Sequence, residues 1–106
     1  MPSFPDPFVG KNKVKLTDRE LAQAIRIDIA GELEAIFLYD SHADSTDNPV
    51  AKAVLEDIRD EEKVHFGELV TLLRYLDPKE AELFENGVKE VKEVIQELED
   101  AGIIKK

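Results

Sequence analysis

The sequence predicts an all-α fold: an antiparallel helical hairpin followed by a C-terminal helix, with a four-helix bundle completed when two copies pair. Three observations carry this expectation. Two long stretches place apolar residues at helical spacing. Each is bounded by residues that start or stop helices. The apolar stripe of each also carries ionisable side chains where a core should be, so the stripe has work beyond packing.

Helix 1 opens at Thr17-Asp18-Arg19-Glu20, a capping box with Thr17 as N-cap and Glu20 three residues on. It is expected from about Asp18 to about Ala43, roughly 39 Å at 1.5 Å per residue. With Leu21 at zero, Ile25, Ala35, Ile36, Tyr39 and Ala43 fall within about 60° on a helical wheel. Asp28 and Glu32 fall there too, and Glu32 is near the centre at about 20°. A second strip with Ile27, Gly31 and Leu38 predicts contacts beyond the hairpin.

Ser45-Thr46-Asp47-Asn48-Pro49 is a turn, with Asn48 as N-cap and Pro49 at the first helical position. Helix 2 is expected from about Pro49 to Leu76, where Asp77-Pro78 stops it. The short link makes the two helices antiparallel neighbours. With Ile58 at zero, Ala51, Val54, Leu55, Leu69, Leu72, Leu73 and Leu76 fall within about 60°. Glu62 lies at about 40° to one side and His65 at about 20° to the other.

After Pro78 the expectation is a short helical turn near Lys79–Glu85, a break at Asn86-Gly87, and a third helix from about Val88 to Asp100. Val88, Val91, Ile95 and Leu98 mark its apolar face, and Gly102 ends it. Residues 1–16, with Pro2, Pro5, Pro7 and Gly10, read as an extended arm that Phe4, Phe8 and Val9 could fix to a partner, or equally as a disordered tail. The organisation is therefore an arm (1–16), a helical hairpin (17–78), and a C-terminal helix and tail (79–106).

The chain of 106 residues is 42% hydrophobic, enough for one core, and carries a net charge of −10. That charge disfavours nucleic acid as a partner, since a phosphate backbone needs a basic surface. The absence of cysteine removes disulfides, thiolate chemistry and iron–sulfur clusters. No apolar run approaches the roughly 20 residues of a membrane span, and the N-terminus lacks a secretory apolar region, so the expected compartment is the cytoplasm.

Glu62-x-x-His65 places a carboxylate and an imidazole one turn apart on one helix face. Alone, the two could form a buried hydrogen-bonded pair that fixes register. In an antiparallel hairpin, however, the middles of the two helices meet, and Glu32 is near the middle of helix 1. Two carboxylates and one imidazole at one level favour a metal, and this donor set suits iron or manganese. One hairpin supplies too few ligands for a buried site and leaves an apolar seam open. Pairing two copies about a two-fold axis solves both problems. It brings together two Glu32 and two Glu62-x-x-His65 sets, the ligand set of ferritin-like di-iron bundles. Glu62 is expected to bridge the metals, with Glu32 and His65 as terminal ligands.

The other inward polar groups carry weaker expectations. Tyr39 could hydrogen-bond a ligand or donate an electron, or be a core tyrosine. Asp28 is better read as a salt-bridge partner than as a cation site. Glu34 and Glu61 lie off the stripe; either could line a metal entry route, though both read better as solvated carboxylates, and Glu61 and Glu68 could equally pair with basic residues of a neighbouring chain. His42 reads as surface.

Glu32-Leu33-Glu34-Ala35-Ile36-x-x-Tyr39-Asp40 and Arg59-Asp60-Glu61-Glu62-Lys63-x-His65 resemble the encapsulated ferritins, short ferritin-like proteins housed in encapsulin nanocompartments. The resemblance covers about Leu21 to Pro78. It implies a di-iron ferroxidase centre shared across a dimer, dimers assembled into a ring, often a decamer, and an encapsulin shell as partner. It also implies a cytoplasmic location inside that shell. Glu32, Glu62 and His65 match the ferroxidase ligands, and Tyr39 matches a tyrosine standing behind them. Secondary sites would take manganese or other divalent cations. The chain departs from the family pattern at Gly31, where relatives can carry an acidic residue that acts with the Glu34 position, and at Leu38, where they can carry Trp. Its C-terminus, Gly102-Ile103-Ile104-Lys105-Lys106, has no clear shell-targeting peptide. The function expected is oxidation of Fe(II) to Fe(III) by dioxygen or peroxide. The alternatives are a rubrerythrin-like peroxide-reducing or manganese di-metal protein, and a non-catalytic helical assembly module whose buried acids specify pairing.

Overall fold

The computed structural model describes residues 15–105, so the expected arm falls outside the described residues except for Lys15 and Leu16. Three helices follow in order, α1 (Asp18–Asp44), α2 (Pro49–Leu76) and α3 (Pro78–Asp100), with no strand among the described residues.

The helix ends form where the capping chemistry puts them. The Glu20 backbone N–H donates to Thr17 Oγ1 at 3.2 Å, and the Thr17 N–H donates to Glu20 Oε1 at 3.1 Å, closing the box. The Val50 and Ala51 N–H groups both donate to Asn48 Oδ1 at 3.0 Å. Asp77 ends α2 and at once caps α3, its Oδ1 accepting from the Glu80 N–H at 3.1 Å. Gly102, at φ 74°, supplies the left-handed residue of a closing motif in which the Ile103 N–H donates to the Leu98 carbonyl at 2.9 Å and the Gly102 N–H to the Glu99 carbonyl at 3.0 Å.

α3 corrects the expected break at Asn86-Gly87, because it runs without interruption through both residues. A mid-helix glycine costs only about 1 kcal/mol relative to alanine, and strong helix formers flank the Asn86-Gly87-Val88 stretch, with Leu83 and Glu85 before it and Lys89 and Glu90 after it. The turn before it is also anchored to α2. Arg74 Nη2 donates to Glu85 at 2.7 Å, and the Arg74 guanidinium stacks 3.8 Å from the centre of the Phe84 ring.

α1 and α2 pack antiparallel along their length, while α3 touches α2 only near their junction. The radius of gyration is 18.3 Å, against about 13 Å for a compact domain of this length. The core is accordingly small. Ala22, Ile25 and Leu73 are buried at one end of the hairpin, where Leu21, Ile29, Leu69 and Leu76 pack against them, and Ala43 is buried at the other.

The apolar stripes are rotated from the expected orientation. On α1 the buried line runs through Ala22 and Ile25, so Asp28, Ala35 and Tyr39 move to the margin of the interface, and Asp28 is exposed. On α2 Leu73 is buried, but Val54 and Leu72 are exposed. His65 lies on the same line, 11 residues from one and seven from the other. The cause is geometric: two helices bury only the strip between them, so one edge of each wide stripe stays open. Leu33, Phe37, Val64, Tyr75, Val91 and Val94 add further exposed apolar surface.

Candidate metal centre

Half-way along the hairpin, Glu32 of α1 meets Glu62 and His65 of α2. One ligand atom from each lies within 4.8 Å of the others. His65 Nδ1 is 3.7 Å from Glu62 Oε2 and 3.9 Å from Glu32 Oε2. These separations exceed hydrogen-bond length, so the imidazole does not satisfy either carboxylate. Glu32 Oε2 is buried and has no hydrogen-bond partner.

The α-helical spacing explains the convergence. Glu62 and His65 are one turn apart on α2 and project from one side, and the antiparallel register sets Glu32 level with them. The group lies on the open edge of the hairpin. The Glu32 and Glu62 side chains are 24% and 20% exposed, and that of His65 is 53% exposed. A cleft of about 400 Å³ runs beside them, lined by Asp28, Gly31, Glu32, Ala35, Tyr39, Glu62 and Leu69.

A cation fits this donor set. Two carboxylates and a neutral imidazole nitrogen offer the oxygen and nitrogen donors that first-row divalent metals take. The unpartnered buried oxygen of Glu32 is a cost that coordination would remove. Among the described residues, a single chain brings three potential ligand residues together on a half-open edge.

Of the weaker candidates, Tyr39 lines the cleft with Glu32 and Glu62. Glu34 lies elsewhere on α1 and joins neither the ligand cluster nor the cleft. Asp28 lines the cleft, whereas His42, Glu61 and Glu68 are exposed and lie outside it. The sequence reading gave no role to the strongest side-chain link near the site, Arg59 to Asp40, with Nη1 2.7 Å from Oδ1. The signal was available, since residues 40 and 59 lie nearly opposite each other in the register that pairs Glu32 with His65.

The fold and this ligand cluster define a ferritin-like helical protein. Comparisons with known proteins agree. A family model described as Ubiquinone biosynthesis protein COQ7 matches residues 19–85, the hairpin and the start of α3. Over 76 residues the chain is 46% identical to the encapsulin nanocompartment cargo protein EncC of Myxococcus xanthus, covering 72% of this chain and 58% of that protein. Over 78 residues it is 38% identical to a ferritin-like-encapsulin shell fusion protein of Pyrococcus furiosus, covering 74% of this chain and 23% of that one. The crystal structure of the encapsulated ferritin domain from Pyrococcus furiosus superimposes with a TM-score of 0.75 at 34% identity, over 86% of this chain and 93% of that one. The chain belongs to the encapsulated ferritin family.

Proposed function

We propose that this protein is a ferroxidase that oxidises Fe(II) to Fe(III) at a di-iron site shared by two copies of the chain. The observation that carries the reading is the convergence of Glu32, Glu62 and His65 on one level of the hairpin, with a buried Glu32 oxygen left without a partner. Two copies facing each other across the open edge supply four carboxylates and two imidazoles, enough for two metal ions. The same pairing covers exposed Val54 and Leu72, which lie along one line with His65.

Fe(II) is the substrate and supplies the electrons. Two Fe(II) ions give one electron each to dioxygen, which takes up two protons and leaves as hydrogen peroxide. With peroxide as oxidant, the same two electrons and two protons yield two waters. The protein's part is binding and placement. The carboxylates neutralise the incoming cations and favour the higher charge of the product. Tyr39, in the cleft beside Glu32, offers a hydroxyl that can hydrogen-bond a ligand oxygen or donate an electron. Glu34, outside this group, is not needed for it.

The relatives named as encapsulin cargo and as a shell fusion extend the reading. The chain works as a ring of paired copies inside an encapsulin nanocompartment in the cytoplasm, passing oxidised iron to the shell interior for storage. In this arrangement 17–78 is the catalytic hairpin, and 79–106 serves assembly. The direct test is Glu62→Ala. It is expected to abolish stoichiometric iron binding and rapid oxidation, and unchanged oxidation kinetics would sink the assignment.

A further inference from the structure

Arg59 occupies an unusual place on the hairpin. Its side chain is only 20% exposed, and it faces three carboxylates. Nη1 donates to Asp40 of α1 at 2.7 Å, Nε donates to Asp60 at 3.1 Å, and Glu56 lies at 3.9 Å. Arg59 is one helical turn before Glu62, and Asp40 follows Tyr39 directly.

The packing near the site leaves register weakly specified. The buried apolar residues sit at the two ends of the hairpin, Ala22, Ile25 and Leu73 at one and Ala43 at the other. Between those ends, around Glu32 and Glu62, none of the described residues is fully buried: Ile29, Ile36, Ile58, Phe66 and Leu69 all keep partial exposure, so the packing there is looser than at the ends. A slip of one helical turn moves a side chain by about 5.4 Å. That exceeds the 4.8 Å within which the ligand atoms cluster, so it would dismantle the half-site. A directional polar contact penalises such a slip where aliphatic contact does not. Polar contacts stand on both sides of the ligands: Arg59 with Asp40 toward the turn, and Arg26 with Asp77 and Glu80 toward the far end. The Asp40 and Asp60 carboxylates hold the Arg59 guanidinium even above its high ordinary pKa, so the cation is permanent.

We propose that Arg59, acting through Asp40, is a positioning residue that fixes the register of α2 on α1 and so holds Glu62 and His65 level with Glu32. The proposal rests on the metal-site reading above. Its planar fork, rather than charge alone, does the work, because it grips Asp40 and Asp60 at once.

The test titrates Co(II), whose visible bands report ligand geometry, into the full chain and into Arg59→Gln, Asp40→Asn and the double variant. Helix content and native mass are measured beside it. Each single variant is expected to bind Co(II) about tenfold more weakly with altered bands, and the double variant also about tenfold, because the two residues act as one unit. Wild-type affinity in either single variant, or an additive loss of about a hundredfold in the double, overturns the proposal. Should Arg59→Gln lose helix content, Arg59→Lys decides: weaker binding with native helicity supports the fork, and wild-type binding overturns it. If the unaltered chain takes up neither Co(II) nor Fe(II), the metal-site reading itself falls. If it binds but the variants match it, only the positioning role falls.

Discussion

Glu32 and His65 approach to 3.9 Å across the hairpin, too far for a hydrogen bond and close enough to share a cation. The Glu32 oxygen on this side is buried and unpartnered. The metal-free protein therefore keeps an electrostatic defect in the middle of its longest interface.

Removing that defect should stabilise the empty protein. Glu32→Gln eliminates a charge beside Glu62 and supplies an amide that can donate to it. The expected gain in the metal-free state is about 1 kcal/mol, several degrees in melting temperature. Thermal denaturation in chelator checks this. The same variant should lose the stabilisation that Fe(II) gives the unaltered chain.

Metal should favour pairing. If each cation takes ligands from two chains, cations bind the pair better than the single chain and shift association by mass action. Sedimentation in Fe(II), kept anaerobic, should show larger species than sedimentation in chelator. A single sedimentation coefficient in both would count against the shared site.

Val54→Lys separates pairing from folding. Val54 is half exposed in the single chain, so the change should cost the hairpin less than about 1 kcal/mol. Across a paired seam it buries a charge. Native mass should show loss of the pair while circular dichroism keeps its helical signal.

Gly87→Ala tests the continuity of α3. A methyl group at residue 87 meets nothing within 4 Å, and the backbone there is helical. The substitution should raise the stability of α3 by about 1 kcal/mol. Slower amide hydrogen exchange between residues 80 and 95 would report it.

Much of the hairpin was legible because its ends are set by local chemistry. Thr17 with Glu20, Asn48 with Pro49, and Asp77 with Pro78 each determine a boundary from neighbours within four residues. The level of Glu32, Glu62 and His65 followed from the short turn and the helical repeat. Two features were not legible. The continuity of α3 reflects how little one glycine costs inside a helix, with Arg74 holding Glu85 and Phe84 in the turn before it, a tertiary contact that helical spacing alone does not announce. The rotation of the stripes depends on how many partners surround each helix. A wheel centred on Leu21 averages the face toward α2 with the open edge, which is why Tyr39 and Asp28 were expected in the core and lie beside it.

If one chain carries half of a two-metal site, metal uptake and pairing must go together. Anaerobic Fe(II) titration followed by native mass measures metal per chain and assembly state together. Saturation is expected at two Fe(II) per pair of chains, with metal found only on paired species and lost in Glu62→Ala. Fe(II) carried by single chains, or uptake unchanged in Glu62→Ala, would contradict that arrangement.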